Sequence, residues 1–139
     1  MNALPVFKLY IDGASRNNPG PAALGVVLLD GEGQLVEEYA EYLGETTNNV
    51  AEYTALIRGL ERARQRGVRR LHVFSDSQLL VRQINGSYRV RSPHLKGLHL
   101  AALSLARTFE EFVLQHIPRE MNRRADSLAN QALDHQGEA

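Results

Sequence analysis

The period of the hydrophobic pattern changes once along this chain, near Asn49, and that change does most to limit how the chain can fold. Before it, apolar residues alternate. In residues 5–12, Phe7, Leu9 and Ile11 fall on one face and Lys8, Tyr10 and Asp12 on the other, the two-residue period of a strand. Segment 13–23 is dense in Gly, Asn and Pro and predicts a turn. Residues 23–30 read as a second strand, 31–33 as a hairpin turn and 35–43 as a third strand. The acids of that third strand suit an exposed edge that must not recruit a partner. From Asn49 onward, Val50, Tyr53, Leu56, Ile57 and Leu60 recur at helical spacing until Gly67 stops the pattern. A short buried strand (71–76), a short helix ended by Asn85-Gly86, a helix over 94–107, a strand over 110–117 and a helix over 120–134 follow. The order β-β-β-α-β-α-α-β-α implies a mixed sheet with helices covering its faces.

Repeats, linkers and low-complexity segments do not occur, so residues 1–139 are expected to form one domain, with residues 135–139 frayed. The chain has no cysteine, which excludes disulfides and thiolate metal sites. Residues 1–5 lack the basic and apolar regions of a signal peptide. No apolar run approaches the roughly 18 residues of a membrane span. A cytoplasmic protein without membrane attachment is therefore expected.

Net charge is zero and gives no general pull toward nucleic acid. The distribution is uneven. Residues 1–57 carry two bases against eight acids, and residues 58–139 carry fourteen bases against eight acids. Such asymmetry permits a basic face on a neutral protein, although ordinary solvated helix faces would produce it too.

Four acids occupy awkward places. Asp12 interrupts a strand that should be well buried, and Asp76 ends the next buried strand. If those strands are parallel, both acids project near the carboxyl edge where open α/β sheets bind ligands. Glu52 lies in the first turn of the long helix and Asp126 near the start of the last. Each has a local explanation. Asp12-Gly13 can begin a turn. Asn49-x-x-Glu52 fits a capping box. Ser75-Asp76-Ser77 fits a strand-to-helix cap. Asp126 can complement a helix dipole. Gathered at one edge, however, four carboxylates would repel, and a hard divalent cation would relieve the repulsion. Oxygen ligands alone favour Mg²⁺ or Mn²⁺ over zinc. Carboxylates holding two such ions about 4 Å apart form a phosphodiester-cleaving device.

The segments YIDGASRNNPGPAALG, TTNNVAEYTAL, FSDSQLLVRQI and NRRADSLANQAL occur in the order and approximate spacing of type 1 ribonuclease H. The chain resembles that family from about Lys8 to Leu133. The resemblance implies a ribonuclease H-like α/β fold: a five-stranded mixed sheet, three antiparallel hairpin strands then two parallel strands, flanked by helices. It implies an endonuclease cutting the RNA strand of RNA/DNA hybrids by a two-metal-ion mechanism, leaving 3′-hydroxyl and 5′-phosphate ends. By matching motif position, Asp12, Glu52, Asp76 and Asp126 would be catalytic and would hold two Mg²⁺ ions, with Mn²⁺ as the substitute. Ser15, Asn18, Thr47, Asn48, Asn49 and Gln78 stand where the family contacts the hybrid. Turn and cap chemistry accounts for the same residue types.

Two features depart from the best-known members. No histidine lies between Ile117 and Asp126, where many members carry one on a longer loop, and Glu120 is a candidate product-release acid. A simple helix-start acid is the other reading. The basic, tryptophan-bearing protrusion is also missing: the chain has no Trp, and residues 86–96 are too few for it. Arg82, Arg89, Arg91 and Lys96 are candidates for contacting the DNA backbone instead. These traits are similar to a compact subgroup whose members also resemble double-stranded-RNA cutters. His72, His94, His99 and His135 show no ligand-like pairing and are assigned surface or packing roles. A monomer is expected. The competing reading is a hybrid-binding module whose catalysis has lapsed.

Overall fold

The computed structural model describes residues 4–136. The expectations for residues 1–5 and 135–139 fall partly outside that range. Ten-residue strands β1 (Val6–Ser15) and β2 (Gly20–Leu29) pair antiparallel, and β2 pairs antiparallel with β3 (Leu35–Thr46). Helix α1 (Asn48–Gln65) leads to β4 (Arg70–Ser75), which lies parallel to β1. Helices α2 (Gln78–Ile84) and α3 (Pro93–Ala106) lead to β5 (Glu111–His116), parallel to β4. A single 3₁₀ turn, Arg119–Met121, precedes α4 (Arg123–Asp134). The sheet order is β3-β2-β1-β4-β5, the mixed five-stranded architecture expected.

Several boundaries differ from the sequence reading. The Gly- and Ala-rich segment after Asp12 is strand, not turn: Gly13, Ala14 and Ser15 pair with Leu24, Ala23 and Ala22. Residues of low strand propensity are held extended by the ladder on either side. Likewise β3 runs on to Thr46. The last helix starts at Arg123 rather than near 120, because Pro118 and the 3₁₀ turn first bring the chain around.

The core lies between one sheet face and α1. Leu9, Ile11, Leu71 and Val73 meet Tyr53, Leu56 and Leu60, all essentially without solvent contact. Gly59 lets α1 sit close, since a Cβ there would stand 2.7 Å from a Leu9 methyl. Helix α3 packs on α1. Helix α4 packs on the opposite face across β1, β2 and β3, burying Ala125, Ala129 and Leu133. Edge strand β3 spends its acids on arginines of both layers: Glu37 pairs with Arg62 and Arg66, Glu38 with Arg124, and Glu41 with Arg58. Much of the charge asymmetry between the halves is consumed inside the fold. Among the described residues, no helix is long and apolar enough to cross a membrane.

Candidate active site

Parallel pairing of β1 and β4 ends with Ile11 matched to Ser75, so Asp12, still in β1, and Asp76, just past β4, come next to each other at the carboxyl edge of that pair. Two glycines bring the helices to them. A Cβ on Gly13 would lie 2.4 Å from the Glu52 nitrogen, so α1 approaches only because that side chain is missing. Gly25 is the ladder partner of Asp12, and a Cβ there would lie 2.1 Å from the Ala125 carbonyl oxygen. Helix α4 therefore delivers Asp126 to the same end of the sheet.

Glu52 is not a capping-box residue. The N-cap of α1 is Thr47, whose hydroxyl accepts from the Val50 N–H at 3.2 Å. Glu52 lies one turn further in, buried, and accepts the Gly13 N–H at 2.7 Å. Similarly Ser77 caps α2, and Asp76 is left to face the cleft.

Ligand oxygens of Asp12, Glu52 and Asp76 lie within 4.8 Å of one another. With Asp126 they line an open cleft of about 420 Å³, together with Ser15, Asn48, Ser77 and Arg119. Burial, then the charges of Glu52, Asp76 and Asp126, push the Asp12 carboxyl up to about 9. Burial also pushes Glu52 up to about 8, with Asp76 adding to the rise and the Gly13 N–H opposing it. Asp12 Oδ2 is buried without a hydrogen-bond partner. Crowded carboxylates, with one buried oxygen lacking a donor, fit a hard divalent cation, and the all-oxygen donor set of Asp12, Glu52 and Asp76 favours Mg²⁺ or Mn²⁺ over zinc.

The amide-rich segments adjoin this cluster. Asn48 links both hairpin ends, donating its N–H to Asn18 Oδ1 at 2.9 Å and accepting the Ser15 N–H on Oδ1 at 3.0 Å. Ser15 Oγ donates to the Thr46 carbonyl at 2.9 Å. Asn18, Thr47 and Asn49 line a neighbouring cleft with Ser92 and His94. Gln78 is exposed on the first turn of α2. The basic candidates sit apart. Arg82 lies over the exposed Tyr88 ring and donates to its hydroxyl at 2.6 Å, while Arg89 and Lys96 line a shallow cleft around Tyr88. Arg91 is exposed between α2 and α3.

Glu120 is exposed on the 3₁₀ turn and does not line the carboxylate cleft. Its neighbour Arg119 does, with its guanidinium 3.9 Å from Asp126. Sequence reasoning missed Arg119, which reads as one more surface base. It also missed Asn122, a buried amide that donates to the Ile11 carbonyl at 2.8 Å and to Asp76 Oδ2 at 3.2 Å. Its only sequence signal is an Asn just ahead of a helix, which ordinarily means a cap.

Comparison with known proteins identifies the family. Residues 10–132 match the family described as reverse transcriptase-like. The chain is 46% identical over 125 residues to ribonuclease HI of Halobacterium salinarum, covering 90% of this chain and 63% of that protein. It is 42% identical over 124 residues to a bifunctional protein of Mycobacterium tuberculosis, covering 88% of this chain and 34% of that one. The chain thus spans only part of these relatives. The crystal structure of the Halobacterium salinarum RNase H1 superposes with a TM-score of 0.90 at 44% identity, covering 93% of this chain and 98% of that one. LC11-RNase H1, solved in complex with an RNA/DNA hybrid, gives a TM-score of 0.87 at 44% identity, covering 92% and 96%. The matches extend over nearly the whole chain, and it belongs to the ribonuclease HI family, a family of nucleases.

Proposed function

We propose that this chain is a metal-dependent endonuclease that hydrolyses the RNA strand of RNA/DNA hybrids, leaving 3′-hydroxyl and 5′-phosphate ends. The observation that carries the reading is the convergence of Asp12, Glu52 and Asp76, two of them buried, where the parallel pairing of β1 with β4 ends. Asp12, Glu52, Asp76 and Asp126 would hold two Mg²⁺ ions, or Mn²⁺ in their place. Such ions supply charge neutralisation for a pentavalent phosphorus and lower the pKa of water.

The chain's own groups define the rest. Hydrolysis forms a bond from water oxygen to phosphorus and breaks the bond from phosphorus to the 3′ oxygen, which leaves as the hydroxyl. In this reading water is the nucleophile, and the cleft hydroxyls serve the fold: Ser15 Oγ donates to the Thr46 carbonyl, and Ser77 Oγ accepts the Leu80 N–H. No covalent enzyme intermediate is therefore expected. Carboxylates alone would repel the substrate phosphate, so binding depends on loading of the site. Selectivity needs groups that sense the 2′-hydroxyl, which both donates and accepts hydrogen bonds. Ser15 and Asn48 line the cleft, Asn18, Thr47 and Asn49 line the neighbouring one, Gln78 is exposed on the first turn of α2, and together they supply short amides and hydroxyls for that purpose. The Asn18–Asn48–Ser15 bonds hold the hairpin end and the start of α1 as one surface. Arg82, Arg89, Arg91 and Lys96 add contact to the DNA phosphates, and Glu120, exposed on the 3₁₀ turn outside the cleft, is the candidate acid for product release. A monomer acting in the cytoplasm completes the reading.

The test is cleavage of an end-labelled hybrid with Mg²⁺, with Mn²⁺ and with EDTA, beside single-stranded RNA, double-stranded RNA and duplex DNA. Metal-dependent hybrid cutting that disappears in Asp76→Asn is expected. Tight hybrid binding with no cutting under either metal would refute the enzyme and leave a binding module.

A further inference from the structure

Asn122 occupies the N-cap position of α4 but does not cap it. A cap residue normally turns its side-chain oxygen to the first free N–H groups of its helix. Here the side chain turns inward and is 1% exposed. Its Nδ2 donates to the Ile11 carbonyl and to Asp76 Oδ2, while its Oδ1 is buried with no hydrogen-bond partner. The orientation is fixed by its partners, because the reversed amide would set an oxygen against a carbonyl and a carboxylate. One helix-stabilising opportunity is thus given up, the cap bond that Oδ1 would accept. What is obtained is a bridge from the last core residue of β1 before Asp12 to the carboxylate of Asp76.

We infer that Asn122 is a positioning residue for the metal centre, holding the Asp76 carboxylate by Oδ2 so that its other oxygen is presented to the cation. The inference rests on the reading of the carboxylate cleft as a metal site. Asp76 follows the end of β4 and, among the described residues, its carboxylate receives this single hydrogen bond, so without it the carboxylate is free to rotate away from its like-charged neighbours. Anchoring on the Ile11 carbonyl also ties the bridge to the strand that carries Asp12, so both aspartates keep one spacing. Partners of this kind that orient a ligating carboxylate change metal affinity by roughly 10- to 100-fold when removed.

The experiment is calorimetric titration of Mn²⁺ and Mg²⁺ into the substrate-free full chain, with thermal melting in EDTA as the measure of fold. Hybrid cleavage over a range of Mg²⁺ concentrations runs beside it. Asn122→Ala removes the bridge. Asn122→Ser supplies the helix cap that Asn122 forgoes but is too short to span both acceptors. Folded variants that bind metal about tenfold or more weakly, with cleavage restored toward the wild-type rate at saturating Mg²⁺, are expected. Wild-type metal affinity in both folded variants overturns the inference. So does loss of fold in both, because Asn122 would then be holding α4 and not a carboxylate. A wild type that takes up neither ion overturns the metal reading itself and this inference with it.

Discussion

Asp12→Asn should make the metal-free protein more stable at neutral pH while abolishing hybrid cleavage. Asp12 is 4% exposed, and burial plus three neighbouring carboxylates raise its pKa to about 9 in the folded chain. In the unfolded chain an aspartate titrates near 3.9. An acid whose folded value is the higher contributes its full stability below the unfolded value and loses it as pH climbs toward the folded one. At pH 7 the folded state still holds the proton, so the loss is set by the distance from 3.9 to 7. About three units at roughly 1.4 kcal/mol each give about 4 kcal/mol. The figure depends on Asp12 being protonated at pH 7, not on how far above 7 its pKa lies. Asparagine has nearly the same shape and no charge to suppress, so it should recover most of that amount. For a domain of this length, roughly 3 °C per kcal/mol converts it to a rise of about 10 °C in Tm. The assay is thermal melting in EDTA at pH 5 and pH 7.5. The variant's advantage should be small at pH 5 and large at pH 7.5. In excess Mg²⁺ the gap should close or reverse, because binding stabilises only the chain with its ligands intact. An Asp12→Asn variant melting at or below wild type in EDTA at pH 7.5 would refute the reasoning.

Gly25→Ala must push α4 from β2, since its Cβ would meet the Ala125 carbonyl at 2.1 Å. We expect a loss of roughly 1–3 kcal/mol in urea denaturation, with a fall in cleavage larger than the unfolded fraction explains. Leu56→Ala empties a fully buried position under the sheet and should cost about 2–5 kcal/mol, leaving kcat of the folded fraction unchanged. Replacing Arg89 and Lys96 together by Ala should raise KM and flatten its salt dependence by about one unit of slope per lost phosphate contact. A change in kcat without change in salt dependence would remove those two residues from the DNA interface.

The sequence made the architecture legible where periodicity was strong, as in the alternation around Leu9 and Ile11 and the helical spacing from Tyr53 to Leu60. It made Asp12 conspicuous because a charge in an apolar strand needs a reason. It was silent where a local explanation was equally good. The segment Thr46-Thr47-Asn48-Asn49 offers four residues able to cap a helix, and spacing alone selects Asn49 with Glu52. What decides for Thr47 is the Gly13 N–H, 39 residues upstream, which claims the Glu52 carboxylate. Asn122 was masked in the same way, since its acceptor on Ile11 lies 111 residues away. Gly25 reads as an ordinary strand glycine until α4 is seen packed on it.

These hidden residues share a task that explains why they resist local reading. Four carboxylates at one sheet edge are unfavourable for a folded chain without metal, as the raised Asp12 and Glu52 pKa values record. Nothing in the cluster itself would keep them together, so the surrounding backbone must. Gly13 and Gly25 do this by removing side chains, letting two helices press against the strand pair from opposite faces. The Gly13 N–H and Asn122 do it by donating to carboxylates from fixed points on β1 and just ahead of α4. Each device joins distant parts of the chain and stabilises an arrangement that is costly until a cation arrives. The same repulsion that weakens the metal-free fold therefore strengthens the binding of a divalent ion, which is why stability in EDTA and activity in Mg²⁺ should move in opposite directions when Asp12 is changed.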